Sequence, residues 1–361
     1  HLGGTFVETP GRLGPWQASS GELYFIMEPT EIHNVLMMVR SRDGGGSWAE
    51  VDGANRPATG DLEGFASAHS GERVHMLHQI DEKVVYHRFR TADHDAEPDT
   101  WEVRDEVVAR PGEPPTQVAA IAVRPDGSVV AIYGGPEKLR YRVRSPGGSW
   151  GEKSVIDPDV PYSLSGPQAV LGENDTVHLA YTASDGTAWY RRIRADGTLS
   201  ARQQLAKGVG SSEQDRGAIL PLVSLPELGR TAVIYRLNTG QLWARRVSDE
   251  GRLTRATRVT GRRVVQSAVD SDQVGADAIA AGDEVHVLFI DERSGAIYHT
   301  RSRGPGSWSD ASLQVDGVEA QWVRGNLITT EEGGRAYGFV YDAGSNGCTG
   351  MNRYAEVPIG S

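Results

Sequence analysis

One unit recurs along this chain, and a recurring unit constrains a fold more than length or composition does. It reads as a small-residue segment, a turn, an apolar strand, a short polar loop, an aromatic-and-arginine strand, a glycine turn and a last strand. The apolar strand has seven copies: Leu23 to Met27, Val74 to His78, Val129 to Tyr133, Val177 to Tyr181, Thr231 to Tyr235, Val285 to Phe289 and Tyr337 to Tyr341. Runs of four to six apolar or β-branched residues between turns read as buried strands. The following strand carries an anchor at Met37, Tyr86, Tyr141, Trp189, Trp243 and Tyr298, with Met351 a weak seventh. The spacings are 49, 55, 48, 54, 55 and 53 residues. That period is one four-stranded blade, and no stripe of helical period competes with it. The expected fold is therefore all-β: a seven-bladed β-propeller of four-stranded blades, with residues 1–361 as a single domain. The last unit ends after three strands at Ile359, while Gly4 to Glu8 precedes the first unit without a partner. That segment is expected to complete the last blade and close the ring, which removes an exposed edge.

The 44 glycines suit a chain with this many tight turns. With 37 Lys+Arg against 48 Asp+Glu, the formal net charge is −11. Such a surface repels nucleic acid and anionic lipid, so neither nucleic acid nor a membrane is expected as a partner. No apolar run approaches the roughly 18 residues of a membrane helix. The single cysteine, Cys348, allows no internal disulfide and leaves the compartment open. A secreted or extracellular location is expected, and a cytoplasmic one fits the same residues.

Ser41-Arg42-Asp43-Gly44-Gly45-Gly46-Ser47-Trp48 matches the Asp-box, Ser-x-Asp-x-Gly-x-x-Trp, with Gly45 or Gly46 as the turn glycine. Degenerate copies stand at Ser145 to Trp150 and Ser302 to Trp308, and Asp196-Gly197 and Glu250-Gly251 keep only the turn. The chain thus resembles the sialidase-like, Asp-box (BNR) repeat propellers. The resemblance implies that Asp43 caps amides of a tight turn and Trp48 packs beside it, away from the binding face. Sialidases themselves carry three arginines for a carboxylate, a Tyr with a Glu, and an Arg-Ile-Pro start. The first strand here, Leu23 to Met27, has no such arginine, so sialidase activity is not expected. Leu139-Arg140-Tyr141-Arg142 is similar to strands of seven-bladed polysaccharide lyases and related hydrolases. Leu242 to Arg246 and Ala188 to Arg192 resemble those of fucose-binding-type propeller lectins.

The repeats provide an internal control: a residue type recurring at one position is architecture, and one that breaks its column is a site candidate. His75, His178 and His286 share a column and are read as structural. So are Arg40, Arg144, Arg192, Arg246 and Arg301, as surface or inter-blade pairs. His78 breaks its column, where the other strands end in Met27, Tyr133, Tyr181, Tyr235, Phe289 and Tyr341. It and His33, in a loop of the same class, are candidate proton carriers near neutral pH. Tyr181 is the tyrosine candidate for a base. Arg216, in a long inter-blade loop, is the catalytic candidate for neutralising a uronate carboxylate, and Arg236 is a second candidate for binding it. Trp16 and Trp322, just before the first strands of their blades, are expected to stack on a sugar ring or pack between blades. Glu63, Tyr162, Asp215, Asp272 and Arg293 complete the expected substrate-binding set, because loops of all blades converge on one mouth.

No zinc spacing or nucleotide-binding glycine pattern appears, and no cofactor is expected. Asp- and Asn-rich loops leave a structural calcium ion possible, without a legible ligand set. The expected partner is a carbohydrate or another small molecule. The expected function is a glycan-active enzyme. It would cleave an acidic, uronate-containing or a deoxysugar-containing polysaccharide at one central site, by β-elimination or hydrolysis. The alternatives are a carbohydrate-binding lectin with several similar sites, and a non-glycan enzyme or binding scaffold.

Overall fold

The computed structural model describes residues 2, 12–27, 35–52, 56–58, 65–80, 83–91, 101–110, 119–135, 138–160, 167–209, 220–266, 275–303, 306–343 and 352–360. They form seven antiparallel sheets whose strands follow one another in sequence order, the blades of a β-propeller. Blades 1 to 6 have four strands each, and blade 7 has three among the described residues. The segment 4–8, expected to supply the fourth, lies outside them. The amide of Leu2 donates to the carbonyl of Asn352 (3.1 Å), at the start of the last strand of blade 7. Gln17 and Thr329 exchange two hydrogen bonds of 2.7 Å, which join blade 1 to blade 7.

The second strands are apolar on both faces because each blade is packed on both sides. Glu284–Ile290 is buried throughout. The clusters lie between blades: Phe289 of blade 6 packs with Ile234 and Leu242 of blade 5, and Ile132 of blade 3 with Leu179 and Tyr181 of blade 4. Each inter-blade layer is a small core of its own, and the ring is the sum of such layers.

Register corrects the sequence reading in two blades. Trp189 pairs with Tyr181 and Trp243 with Tyr235, but their counterparts in blades 2 and 3 are Val85, opposite His78, and Arg140, opposite Tyr133. Tyr86 and Tyr141 therefore fall one place later, in the column of Tyr190, and Arg144 one place beyond the arginine column, where Arg88 is the blade 2 member. A tyrosine is plausible in either column, so composition could not reveal the shift. In its true place Tyr86 hydrogen-bonds His75 Nδ1 (2.7 Å), and Tyr190 bonds His178 Nδ1. His299 takes the tyrosine's part against His286 Nδ1 (3.0 Å). All three column histidines are buried and committed, as architecture should be.

The turn at 41–48 joins the last two strands of blade 1. Asp43 accepts from the Ser47 amide (2.8 Å), the Ser47 hydroxyl (2.7 Å) and the Ser41 hydroxyl (2.8 Å). These bonds hold its carboxyl down to about 2. The Trp48 indole donates to the Gly45 carbonyl (3.0 Å). Gly45 is the glycine that the turn requires: its φ is +94°, and an added Cβ would stand 2.1 Å from the Tyr354 ring.

Candidate functional site

The first strands of the blades line the axis of the ring. They include Trp16–Gln17, Ala66–Ser70, Ala119–Val123, Gln168–Leu171, Leu222–Leu225, Ala276–Ala281 and Val323–Thr329. Their side chains are mostly small, and a cavity of about 480 Å³ remains between blades 1 to 5. That volume falls within the roughly 300–1,000 Å³ of small-ligand sites.

Three polar groups distinguish its wall. The Trp16 indole stacks on the His69 imidazole, with ring centroids 5.8 Å apart and planes at 25°. Trp16 Nε1 and His69 Nε2 are both enclosed and make no hydrogen bond with the described residues. Leaving such groups unpaired costs about 1–3 kcal/mol each. Burial pushes the His69 pKa down, with Glu72 opposing. The imidazole is therefore neutral at pH 7, with one nitrogen left to accept a hydrogen bond.

The third group is Arg12, whose side chain is one quarter exposed. It crosses the axis: its Nη2 donates to Ala278 O (2.7 Å) and pairs with Asp277 (3.5 Å) on blade 6, while its own carbonyl accepts from the Ser67 hydroxyl on blade 2. Asp277 also accepts from the Gly325 amide (2.7 Å) and the Tyr337 hydroxyl (3.0 Å). Gly325 permits this approach, because a Cβ there would meet the Tyr337 ring at 2.5 Å. One side of the channel is thus a fixed polar knot, and the other is the open cavity.

The structure separates the residues singled out in the sequence. Among the described ones, only Trp16 lines the cavity. Trp322 is buried and stacks on Phe25 with centroids 6.4 Å apart, which is the packing alternative. His78 is fully enclosed; it stacks on His87 at 4.7 Å and bonds it (Nδ1 to Nε2, 2.8 Å). Burial drives its pKa to about 4. Tyr181 is buried and donates to Asp157 (2.6 Å), which also pairs with Arg202 (3.1 Å). Arg236 is buried and held by Val264 O (2.7 Å), Leu237 O (3.1 Å) and Gln266 Oε1 (3.1 Å). Arg293 is exposed in the turn between the second and third strands of blade 6. His33, Glu63, Tyr162, Asp215, Arg216 and Asp272 lie outside the described residues. Sequence reasoning missed Arg12 and His69. Arg12 precedes the first unit, and His69 sits in an inner strand too rich in alanine and serine to stand out.

Of the anchor aromatics that a multi-site lectin would use, Trp189 and Tyr298 are covered. Arg202 lies over Trp189 (4.2 Å) and Arg262 over Tyr298 (3.9 Å). Each guanidinium is also paired with a carboxylate, Asp157 and Asp291 respectively.

No protein-family model matches the chain, and no curated protein does. Solved structures do. The BP39L lectin from Burkholderia pseudomallei has a TM-score of 0.64 at 11% identity, covering 97% of each chain. BBS1N, solved in complex with ARL6DN, has a TM-score of 0.58 at 11% identity, over 98% of this chain and 93% of that one. NanB sialidase from Streptococcus pneumoniae has a TM-score of 0.51 at 11% identity, over 99% of this chain and 70% of that one. At these identities the likeness shows the propeller fold.

Proposed function

We propose that the chain recognises a carbohydrate at one site, the axial cavity walled by Trp16, His69 and Arg12. The observation that carries this reading is the stacked Trp16–His69 pair in the cavity wall. An aromatic face and a few fixed polar groups are what a sugar ring needs. Arg12 adds a cation suited to an acidic residue such as a uronate. Two of the structural neighbours named above are a lectin and a sialidase, which is consistent with a glycan ligand. The covered anchors argue for one axial site over several inter-blade sites.

Cleavage is the further step of this reading. An acid and a base for it would come from the inter-blade loops that carry Glu63, Tyr162, Asp215, Arg216 and Asp272. His78 supports this step poorly, because it is enclosed and neutral. The test is titration calorimetry on glycans selected from an array, followed by assay for unsaturated uronates and new reducing ends. Binding of one ligand per chain, weakened at least tenfold in Arg12→Gln for acidic glycans only, supports the proposal. Several equivalent sites per chain would sink it.

A further inference from the structure

A second polar anomaly lies far from the axis, in the crevice between blades 5 and 6. The arginine column supplies the control. Arg40 stands 3.8 Å from Glu22, Arg88 2.7 Å from Glu102, and Arg301 3.3 Å from Glu284. Arg192 donates to the carbonyls of Asp249 and Glu250. Arg246 holds the same place in blade 5 and is 95% buried, being 5% exposed. It makes no ion pair with the described residues. Its Nη2 reaches Ser302 O at 3.4 Å, and its Nη1 has no partner among the described residues. Arg230 faces it with like charge, and Asp283 opposes that only beyond ion-pair distance. A buried guanidinium left in this state is strongly unfavourable.

The crevice beside it is lined by Arg245, Arg246, Arg255, Thr257 and Trp308 and has a volume of about 20 Å³, room for one water-sized or halide-sized occupant. The crevice between blades 2 and 3 shows what is missing. There the turn tryptophan, Trp150, donates to Glu106 (2.6 Å), and Arg144 forks onto the same carboxylate (2.7 and 2.9 Å). Between blades 5 and 6 the turn tryptophan, Trp308, donates instead to the Thr257 hydroxyl (3.3 Å). A threonine brings no charge. The local sequence is cationic: positions 245 to 263 hold seven arginines against two carboxylates, in a chain of net charge −11.

We infer that this crevice binds a small inorganic anion of halide size, with Arg246 as its buried counter-charge and Arg255 at its mouth. The anion supplies between blades 5 and 6 the negative charge that the Glu106 carboxylate supplies between blades 2 and 3, there to Arg144 of the following blade. An anion bound only to the folded state raises the melting temperature in a saturable way. The experiment is thermal melting of the full chain at constant ionic strength, with sodium chloride or bromide replacing sodium gluconate. The wild-type protein should gain stability with either halide until the effect saturates. Arg246→Met should show no such response. If that variant does not fold, Thr257→Glu decides: it supplies the carboxylate covalently, so it should melt higher than wild type in gluconate and gain nothing from halide. Bromide-soaked crystals should give an anomalous peak in this crevice. A wild-type response that is absent or does not saturate, an equal response in either variant, or bromide found only elsewhere would overturn the inference.

Discussion

Asp342 shows how a single buried group makes the stability depend on pH. It is fully enclosed at the end of the second strand of blade 7. Its Oδ1 accepts from the amides of Gln321 (2.8 Å) and Trp322 (3.0 Å), while Oδ2 has no partner among the described residues. Burial lifts its pKa from 3.8 to about 6, against the pull of those amides and of Arg324. The folded state therefore binds this proton more tightly than the unfolded state. Its contribution favours folding fully below pH ~4 and is lost as the pH rises through ~6. Asp342→Asn keeps the accepting oxygen and removes the charge. It should be more stable than wild type by roughly 1–3 kcal/mol at pH 8, with the difference closing towards pH 4, as melting curves across that range will show. Asp43 predicts the opposite kind of result: Asp43→Ala should lower the melting temperature and leave ligand affinity unchanged, because its carboxylate serves only its own turn. At this scale the sequence was informative about roles that repeat and less so about roles that do not. The histidine column and the capping aspartate were legible. His78 was correctly marked as different from its column, but a one-dimensional pattern cannot show that Phe65 and His87 enclose it.

The elements reveal a device that the repeat pattern concealed. Arg142 of blade 3 donates to Val108 O of blade 2 (2.5 Å), Arg191 of blade 4 to Ile156 O of blade 3, and Arg245 of blade 5 to Gln204 O of blade 4 (3.1 Å). Each stands in one column and bonds the outer strand of the preceding blade. In blade 2 the position is His87, which accepts from the Asp105 amide (2.9 Å) of its own outer strand, so no such link is made. Removing a latch leaves strand carbonyls unpaired. Arg191→Met should cost about 2–3 kcal/mol in urea unfolding, whereas Arg252→Met, whose side chain is 85% exposed, should fall within about 0.5 kcal/mol of wild type. The same scale distinguishes two neighbouring glycines. Gly45→Ala drives a Cβ into Tyr354, while Gly44→Ala meets nothing nearer than Glu331 at 3.5 Å. Gly45→Ala should therefore melt well below Gly44→Ala. Strands were legible here from their apolar runs; register was not. A one-residue slip moves every side chain to the other face, and Tyr86 and Tyr141 read equally well in either of two adjacent columns.

The whole molecule was the most legible level, because seven copies of one pattern reinforce one another and the ring is their only compact arrangement. Its response to acid should be cooperative. Seven described histidines have lowered pKa values, all chiefly through burial, with His75 near 3 and His78, His178 and His299 near 4. A histidine lowered in this way contributes stability that is present above ~6.5 and lost as the pH falls towards the folded value. Asp52, Asp105, Asp249 and Asp342, raised by burial, work in the other direction, but they are fewer. The melting temperature should fall steadily from pH 7 to pH 4 in scanning calorimetry. The outline of the axial cavity was the part that sequence reading missed. Its wall is built from short inner strands of alanine, serine and valine, and from Arg12, which reaches it from outside the repeat. The measurement that tests the central claim most directly is glycan binding by His69→Leu, a substitution that keeps apolar bulk beside Trp16 and removes the imidazole from the cavity wall. The account predicts that binding is lost while the melting temperature stays near that of wild type. A folded variant that binds as the wild type does would contradict it.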